Sequence, residues 1–280
     1  MMNAFWNREN IPDSFVADDG LLHCSLCGGP LEVRLPEYNE FFKSDKRPST
    51  CKCREEKIIR EREEHAKREH IELVERNKGI CFTDRRMWDW TFENDDGTVP
   101  QMAMAKRYVE NWEKVRQEHI GLLLWGNLGS GKTYMAAAIA NALLEQEKKV
   151  LMTDFARISN ISKFDADEYV KSLDSYALLI IDDLGAEQDS EFALQNIGNV
   201  INRRWTSGKP LIITTNLDLA NLKNINEQEL MFARISDRIL DMCRPIHMEA
   251  VESKRVASGK HKHEILKEIF GKEEPSDGDD

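Results

Sequence analysis

The residues with the plainest chemical meaning run from Gly126 to Thr133. Gly126-Asn127-Leu128-Gly129-Ser130-Gly131-Lys132-Thr133 has the form G-x-x-x-x-G-K-T. Glycines at these positions let the backbone fold tightly with its amides pointing inward, where they cradle phosphate oxygens. A helix that begins directly after the loop adds the positive end of its dipole. Lys132 then reaches the β- and γ-phosphates, and the Thr133 hydroxyl is a ligand for Mg²⁺. The residues expected to contact the nucleotide are Gly126, Asn127, Leu128, Gly129, Ser130, Gly131, Lys132, Thr133 and Tyr134. The plainer reading is a glycine-rich turn from strand to helix. The apolar run before the loop and the alanine-rich stretch after it are the context a phosphate loop requires.

Two more apolar runs end in polar residues. Leu179-Ile180-Ile181 leads into Asp182-Asp183. A carboxylate at the end of a buried strand needs a partner or a cation. Asp182 is expected to hold the Mg²⁺ water shell and Asp183 to orient or deprotonate an attacking water. Many nucleotidases carry Glu in the second position, so Glu187 is an alternative base. Thr214-Thr215-Asn216 closes another run, and the Asn216 amide is expected to sense the γ-phosphate or to position the water.

Cysteines form the second constellation. Cys24-Ser25-Leu26-Cys27 is followed by two glycines, and 23 residues separate it from Cys51-Lys52-Cys53. Four thiolates suit a tetrahedral Zn²⁺, and the glycines permit the tight turn whose amides bond to sulfur. A module of this size without a large apolar core gains from a metal staple. The plainer reading is four reduced thiols in a small core. Cys81 and Cys243 stand alone and read as buried thiols.

These residues must be positioned by regular elements. Apolar runs at 121–126, 149–155, 177–185, 210–216 and 245–250 read as strands, with helical stretches between them. Uninterrupted apolar strands between helices imply a parallel sheet covered on both faces, with ligands at the strands' carboxyl ends. Residues 54–78 hold eight basic and eight acidic side chains and read as a solvated helix with pairs such as Glu63–Lys67 and Glu72–Arg76. The expected layout is a zinc-binding module at 1–53, a charged helical linker at 54–84, an ATPase domain at 85–270 and a disordered acidic tail at 271–280. Trp88, Trp90 and Phe92 read as a core staple, with flanking of the adenine as the other reading.

Composition bounds the function. The net charge of −11 over 280 residues argues against a protein that coats nucleic acid, though not against a local basic patch. No stretch is long and apolar enough to span a bilayer, and the N-terminus lacks the pattern of a secretion signal. A cytoplasmic location is expected, where closely spaced cysteines suit metal better than disulfides.

The phosphate loop, the Asp-Asp run and the Thr-Thr-Asn run, in this order, resemble an AAA+ ATPase. With TFEN (91–94), INRRW (201–205), RISDRI (234–239) and ESKR (252–255), the chain resembles the DnaC/DnaI-type replicative helicase loaders and the related IstB-type ATP-binding proteins. The resemblance implies a three-layer αβα domain with a central parallel sheet. It implies that RISDRI carries an arginine finger for a neighbouring subunit, Arg238 first and Arg234 second, and that Arg255 faces the nucleotide in its own chain. The family's usual aromatic before that arginine is Lys254 here, and its Pro-Pro in the loop is Asn127-Leu128. Arg203 and Arg204 read either as part of a subunit interface or as a solvated helix face. Lys254, Arg255, Lys260 and Lys262, with His261 and His263, read as a phosphate-contacting patch for single-stranded DNA or as a charged surface.

The function so implied is a slow, partner-stimulated ATPase using ATP, Mg²⁺ and Zn²⁺. It loads a replicative hexameric DNA helicase, contacts single-stranded DNA and forms a homo-oligomer when ATP is bound. The alternatives are an ATP-dependent adaptor switch with little turnover and an IstB-type transposition ATPase. The N-terminal cysteine module disfavours the last.

Overall fold

The structure is a computed structural model that describes residues 11–42, 44–162, 164–185, 191–223 and 230–249, with 265, 268 and 269. Glu187, Arg255 with the rest of the 252–255 motif, the basic cluster at 254–263 and the acidic tail at 271–280 lie outside the described residues. The chain separates into two units, Met1–Glu72 and Leu73–Asp280.

The first unit holds two antiparallel hairpins, β1 (Ser14–Val16) with β2 (Leu22–Cys24) and β3 (Glu32–Asn39) with β4 (Ser44–Pro48). Among its described residues the buried core is Leu22, Cys24, Leu31 and Cys51, two of the four being cysteines. The buried Glu32 carboxylate accepts from the Leu22 amide at 2.9 Å, which fixes one hairpin against the other. Helix α1 (Lys52–Cys81) starts in this unit and ends in the second. Its buried residues are Val74 and Cys81 alone, and i, i+4 pairs such as Lys57–Glu61 and His65–Glu69 line its solvated length.

The second unit is built on a five-stranded parallel sheet. It comprises α2 (Met102–Glu110), α3 (Trp112–Gln117), β5 (Gly121–Trp125), α4 (Lys132–Glu145), β6 (Val150–Asp154), α5 (Phe155–Ser159), α6 (Ala166–Ser172) and β7 (Leu178–Leu184). It continues with α7 (Glu191–Ser207), β8 (Leu211–Thr215), α8 (Leu219–Lys223), α9 (Leu230–Met242) and β9 (Cys243–His247). The strand order is β6-β7-β8-β5-β9, with every neighbouring pair parallel.

Strand side chains alternate between faces, and both faces are buried. Leu122, Leu124, Leu178, Ile180 and Ile212 join one core with α2 and α4. Leu123, Leu179, Ile181, Leu211 and Ile213 join the other with α5, α7 and α9. This double burial is why the strands read as continuous apolar runs.

Arg203 and Arg204 separate sharply. Arg203 pairs with Asp174 at the surface. Arg204 is fully buried, neither an interface residue nor part of a solvated face. It donates to the carbonyls of Leu173 at 3.3 Å, Tyr176 at 3.1 Å, Ala177 at 3.4 Å and Pro210 at 2.6 Å. Burial pulls its guanidinium down to about 10. The signal was positional: residue 204 follows Ile197 and Ile201 by seven and three residues, on the buried stripe of α7. Arg204→Ala leaves buried carbonyls without donors and is expected to reduce stability by about 3 kcal/mol in urea denaturation.

Candidate functional site

The phosphate-loop sequence turns from the end of β5 into α4 through three glycines with positive φ. Gly126 has φ +139°, Gly129 +78° and Gly131, the N-cap of α4, +89°. At Gly126 a second constraint adds to the first. A β-carbon there would stand 2.1 Å from the Met248 carbonyl oxygen. The Met248 amide bonds to the Trp125 carbonyl at 2.8 Å, so the chain leaving β9 forms the wall of the loop. Asn127 and Leu128 face solvent, and Ser130 is buried.

Lys132 is buried, and its Nζ donates to the carbonyls of Gly126 at 2.9 Å and Asn127 at 2.8 Å. Thr133 Oγ1 donates to Asp182 Oδ1 at 3.1 Å. Thr214 Oγ1 donates to the same oxygen at 2.5 Å and accepts from the Asp183 amide at 2.9 Å. Asn216 Nδ2 donates to Asp183 Oδ1 at 2.9 Å. Thr133, Asp182, Thr214, Asp183 and Asn216 thus form one hydrogen-bonded chain at the carboxyl ends of β7 and β8, beside the start of α4.

A bulge in β7 makes this arrangement. Ile181 and Leu184 enter the same core although three residues apart, and the β7–β8 register shifts between them. One extra residue is therefore accommodated at the Asp-Asp pair. Asp183 takes φ +64°, an uncommon backbone for a residue with a side chain. Gly185 follows at φ +102° with Leu217 packed where a β-carbon would be. Burial raises the pKa of Asp182; the hydrogen bonds from Thr214 and Thr133 oppose this, and the nearby Asp183 and Asp154 carboxylates add to it. A cation at this point would relieve both burial and repulsion. The Thr133 hydroxyl and Asp182 carboxylate are oxygen donors suited to a hard divalent ion.

The side chain of Tyr134 turns to the segment ahead of the sheet. Its ring lies 5.7 Å from that of Trp90, and its hydroxyl donates to the Thr91 carbonyl at 2.9 Å. Asn141, also on α4, donates to the carbonyls of Met87 at 2.8 Å and Trp90 at 2.9 Å. Trp88, Trp90 and Phe92 pack against the core on the α4 side. Arg234 and Arg238 are elsewhere, on α9, which packs with α7 on the opposite face of the sheet. Arg234 is exposed. The Arg238 guanidinium lies 5.6 Å from the centre of the Trp205 ring, whose Nε1 donates to Asp241 at 2.8 Å.

In the first unit, the sulfurs of Cys24, Cys27, Cys51 and Cys53 all lie within 4.8 Å of one another. Cys53 is 3.5 Å from Cys24 and 3.4 Å from Cys51. Tetrahedral thiolates at a zinc–sulfur distance of about 2.3 Å are about 3.8 Å apart, so the set fits such an ion. The two glycines after Cys27 have separate reasons. Gly28 has φ +69°, and a β-carbon on Gly29 would stand 3.0 Å from that of Cys51. The backbone amides of Cys27 and Leu26 draw the Cys24 thiol down to about 6, and that of Gly29 lowers Cys27. Cys53 is pushed up by Cys27, Cys51 and Cys24, the mark of crowded sulfurs. The C-x-C spacing works because Cys51 stands just ahead of α1 and Cys53 within its first turn. Cys81 and Cys243 are buried, and burial pushes Cys81 up to about 12.

The family described as IstB-like ATP binding protein matches residues 54–262. The replicative helicase loader DnaC of Buchnera aphidicola subsp. Schizaphis graminum is 26% identical over 233 residues, covering 74% of this chain and 89% of that protein. The replicative helicase loader DnaI of Bacillus subtilis is 30% identical over 175 residues, covering 57% of this chain and 56% of its own length. A crystal structure of DnaI superposes with a TM-score of 0.52 at 27% identity, covering 64% of this chain and 100% of that one. The three-layer AAA+ fold expected from the resemblance is the fold observed.

Gly126→Ala meets both a backbone outside the ordinary range and the Met248 carbonyl. It is expected to destabilise the second unit by about 1–3 kcal/mol, read by thermal melting.

Proposed function

The chain belongs to the family of IstB-like ATP-binding proteins, and from that premise we propose that it is a magnesium-dependent ATPase that loads a replicative hexameric DNA helicase. The observation that supports hydrolysis most directly is the hydrogen-bonded chain Thr133–Asp182–Thr214–Asp183–Asn216 beside the phosphate loop.

Each residue has a task that follows from its position. The Lys132 amine exchanges two neutral carbonyl partners for phosphate oxygens, which are stronger acceptors. The loop amides and the start of α4 hold the phosphates. Mg²⁺, when bound, neutralises charge on the β- and γ-phosphates; Thr133 and Asp182 are the residues to hold it. Asp183 accepts the proton of the attacking water, with Glu187 as the alternative, while Asn216 fixes the Asp183 carboxylate. Arg238 is the finger that reaches a neighbouring subunit's phosphate, with Arg234 second and Arg255 facing the nucleotide in its own chain. The ATP-bound protein assembles into a homo-oligomer, and single-stranded DNA is its second partner.

Zn²⁺ in the four-cysteine cluster holds the first unit, whose role is contact with the helicase. Zinc also accounts for the stability of a unit whose core is half cysteine.

One observation favours a second reading. Asp183 is one methylene shorter than the glutamate of many nucleotidases, and its Oδ1 is already engaged by Asn216. A switch that binds ATP and turns it over rarely would use the same residues. Turnover measured with and without single-stranded DNA and helicase separates the two readings.

Lys132→Ala is expected to lower kcat/KM for ATP on the order of 100-fold. Turnover like that of the unaltered protein would remove the assigned site. For the first unit, elemental analysis is expected to find one zinc per chain, and Cys27→Ser to lose it. The same variant is expected to lose capture of the hexameric helicase while its ATP turnover without helicase is unchanged.

A further inference from the structure

We infer that Thr214 is a positioning residue of the ATP site, setting the orientation of both carboxylates of the Asp182-Asp183 pair through its hydroxyl. This rests on the ATPase reading and adds to it a residue with no role so far.

Thr214 lies near the end of β8, 2% exposed. Its strand neighbours alternate, Ile212 to the α4 face and Ile213 to the α7 face, so residue 214 turns toward α4 and the phosphate loop. A hydroxyl buried there must find partners. It finds two, and both belong to the Asp-Asp pair. Its proton goes to Asp182 Oδ1 and its lone pair receives the Asp183 amide. The Asp183 amide is the backbone donor displaced by the bulge between Ile181 and Leu184. The Thr214 hydroxyl takes the place of a ladder acceptor there, which is how the bulge and the φ of +64° at Asp183 are held.

The consequence for Asp182 is directional. Thr133 and Thr214 both donate to Oδ1, leaving Oδ2 without a hydrogen-bond partner among the described residues. Two donors on one oxygen, one from α4 and one from β8, fix the position of Oδ1 and with it the direction of Oδ2. At Asp183, the Thr214 hydroxyl holds the backbone and Asn216 holds the side chain. Thr214 lies in β8 and Asn216 directly follows the end of that strand, so a shift of β8 moves both carboxylates together. Valine matches threonine in shape and lacks the hydroxyl, and serine keeps the hydroxyl and lacks the methyl.

The test compares the full chain with Thr214→Val, Thr214→Ser and Lys132→Ala. Mn²⁺ binding in the presence of a non-hydrolysable ATP analogue, read by electron paramagnetic resonance, gives a measure independent of turnover. Thr214→Val is expected to raise the Mn²⁺ half-saturation about 5-fold and to lower kcat about 10- to 100-fold, with KM for ATP within about 3-fold. Thr214→Ser is expected to restore both to within about 3-fold. Circular dichroism melting checks the fold, and Thr214→Ala replaces the valine variant if that one does not fold. Unchanged Mn²⁺ binding and kcat in the hydroxyl-free variant would overturn the assignment. So would a serine variant as impaired as valine, since the methyl would then be the group that matters. If the unaltered protein itself binds no Mn²⁺–analogue complex, the ATP reading falls, and this assignment with it.

Discussion

A parallel sheet buried on both faces has no room for charge except at the ends of its strands. That constraint organises the second unit. Every strand residue from Leu122 to Leu124, from Leu178 to Ile181 and from Leu211 to Ile213 enters one of two apolar cores. The polar residues gather where the strands leave the sheet: the glycine loop after β5, the aspartates at the end of β7, and Thr214 to Asn216 at the end of β8. Unfavourable burial of Asp182 is tolerated there because two hydroxyls donate to it. The same arrangement that conceals apolar surface therefore collects the polar groups at one end of the strands.

Much of this was legible in the sequence because the relevant signals are local. Gly126 to Thr133 is contiguous, and its glycines announce backbone shapes that other residues resist. The strands announce themselves through composition, since both faces are apolar. The four cysteines are separated by only a short hairpin, so their meeting required little long-range inference. Arg204 was harder. Arginine next to arginine suggests a surface, and only its register with Ile197 and Ile201 places it inside. The role of Thr214 was not legible at all. It depends on a bulge in the neighbouring strand, and nothing in the run Ile181-Asp182-Asp183-Leu184 marks where the period of two is broken.

The first unit follows a different logic. Its hairpins are short, and among its described residues few are buried. Sulfur takes the place that aliphatic side chains hold in the second unit. Cys51 and Cys53 stand at the start of α1 beside Cys24 and Cys27, so the four sulfurs meet where the long helix begins. The charge pattern of α1 then fits a helix that needs no core along most of its length, with Val74 and Cys81 as its buried end.

The meeting of Gly126 with the Met248 carbonyl has a thermodynamic meaning beyond geometry. No flexible side chain stands between the loop and the backbone at Met248 that walls it, so the first residue of the loop has nothing to rearrange. With Gly131 holding the start of α4 in its own unusual conformation, both ends of the loop are fixed before any ligand arrives. For the phosphate proposed to bind here, the ordering entropy that weakens binding to loose loops is met during folding instead. The loop's shape is in this sense stored in two absent β-carbons.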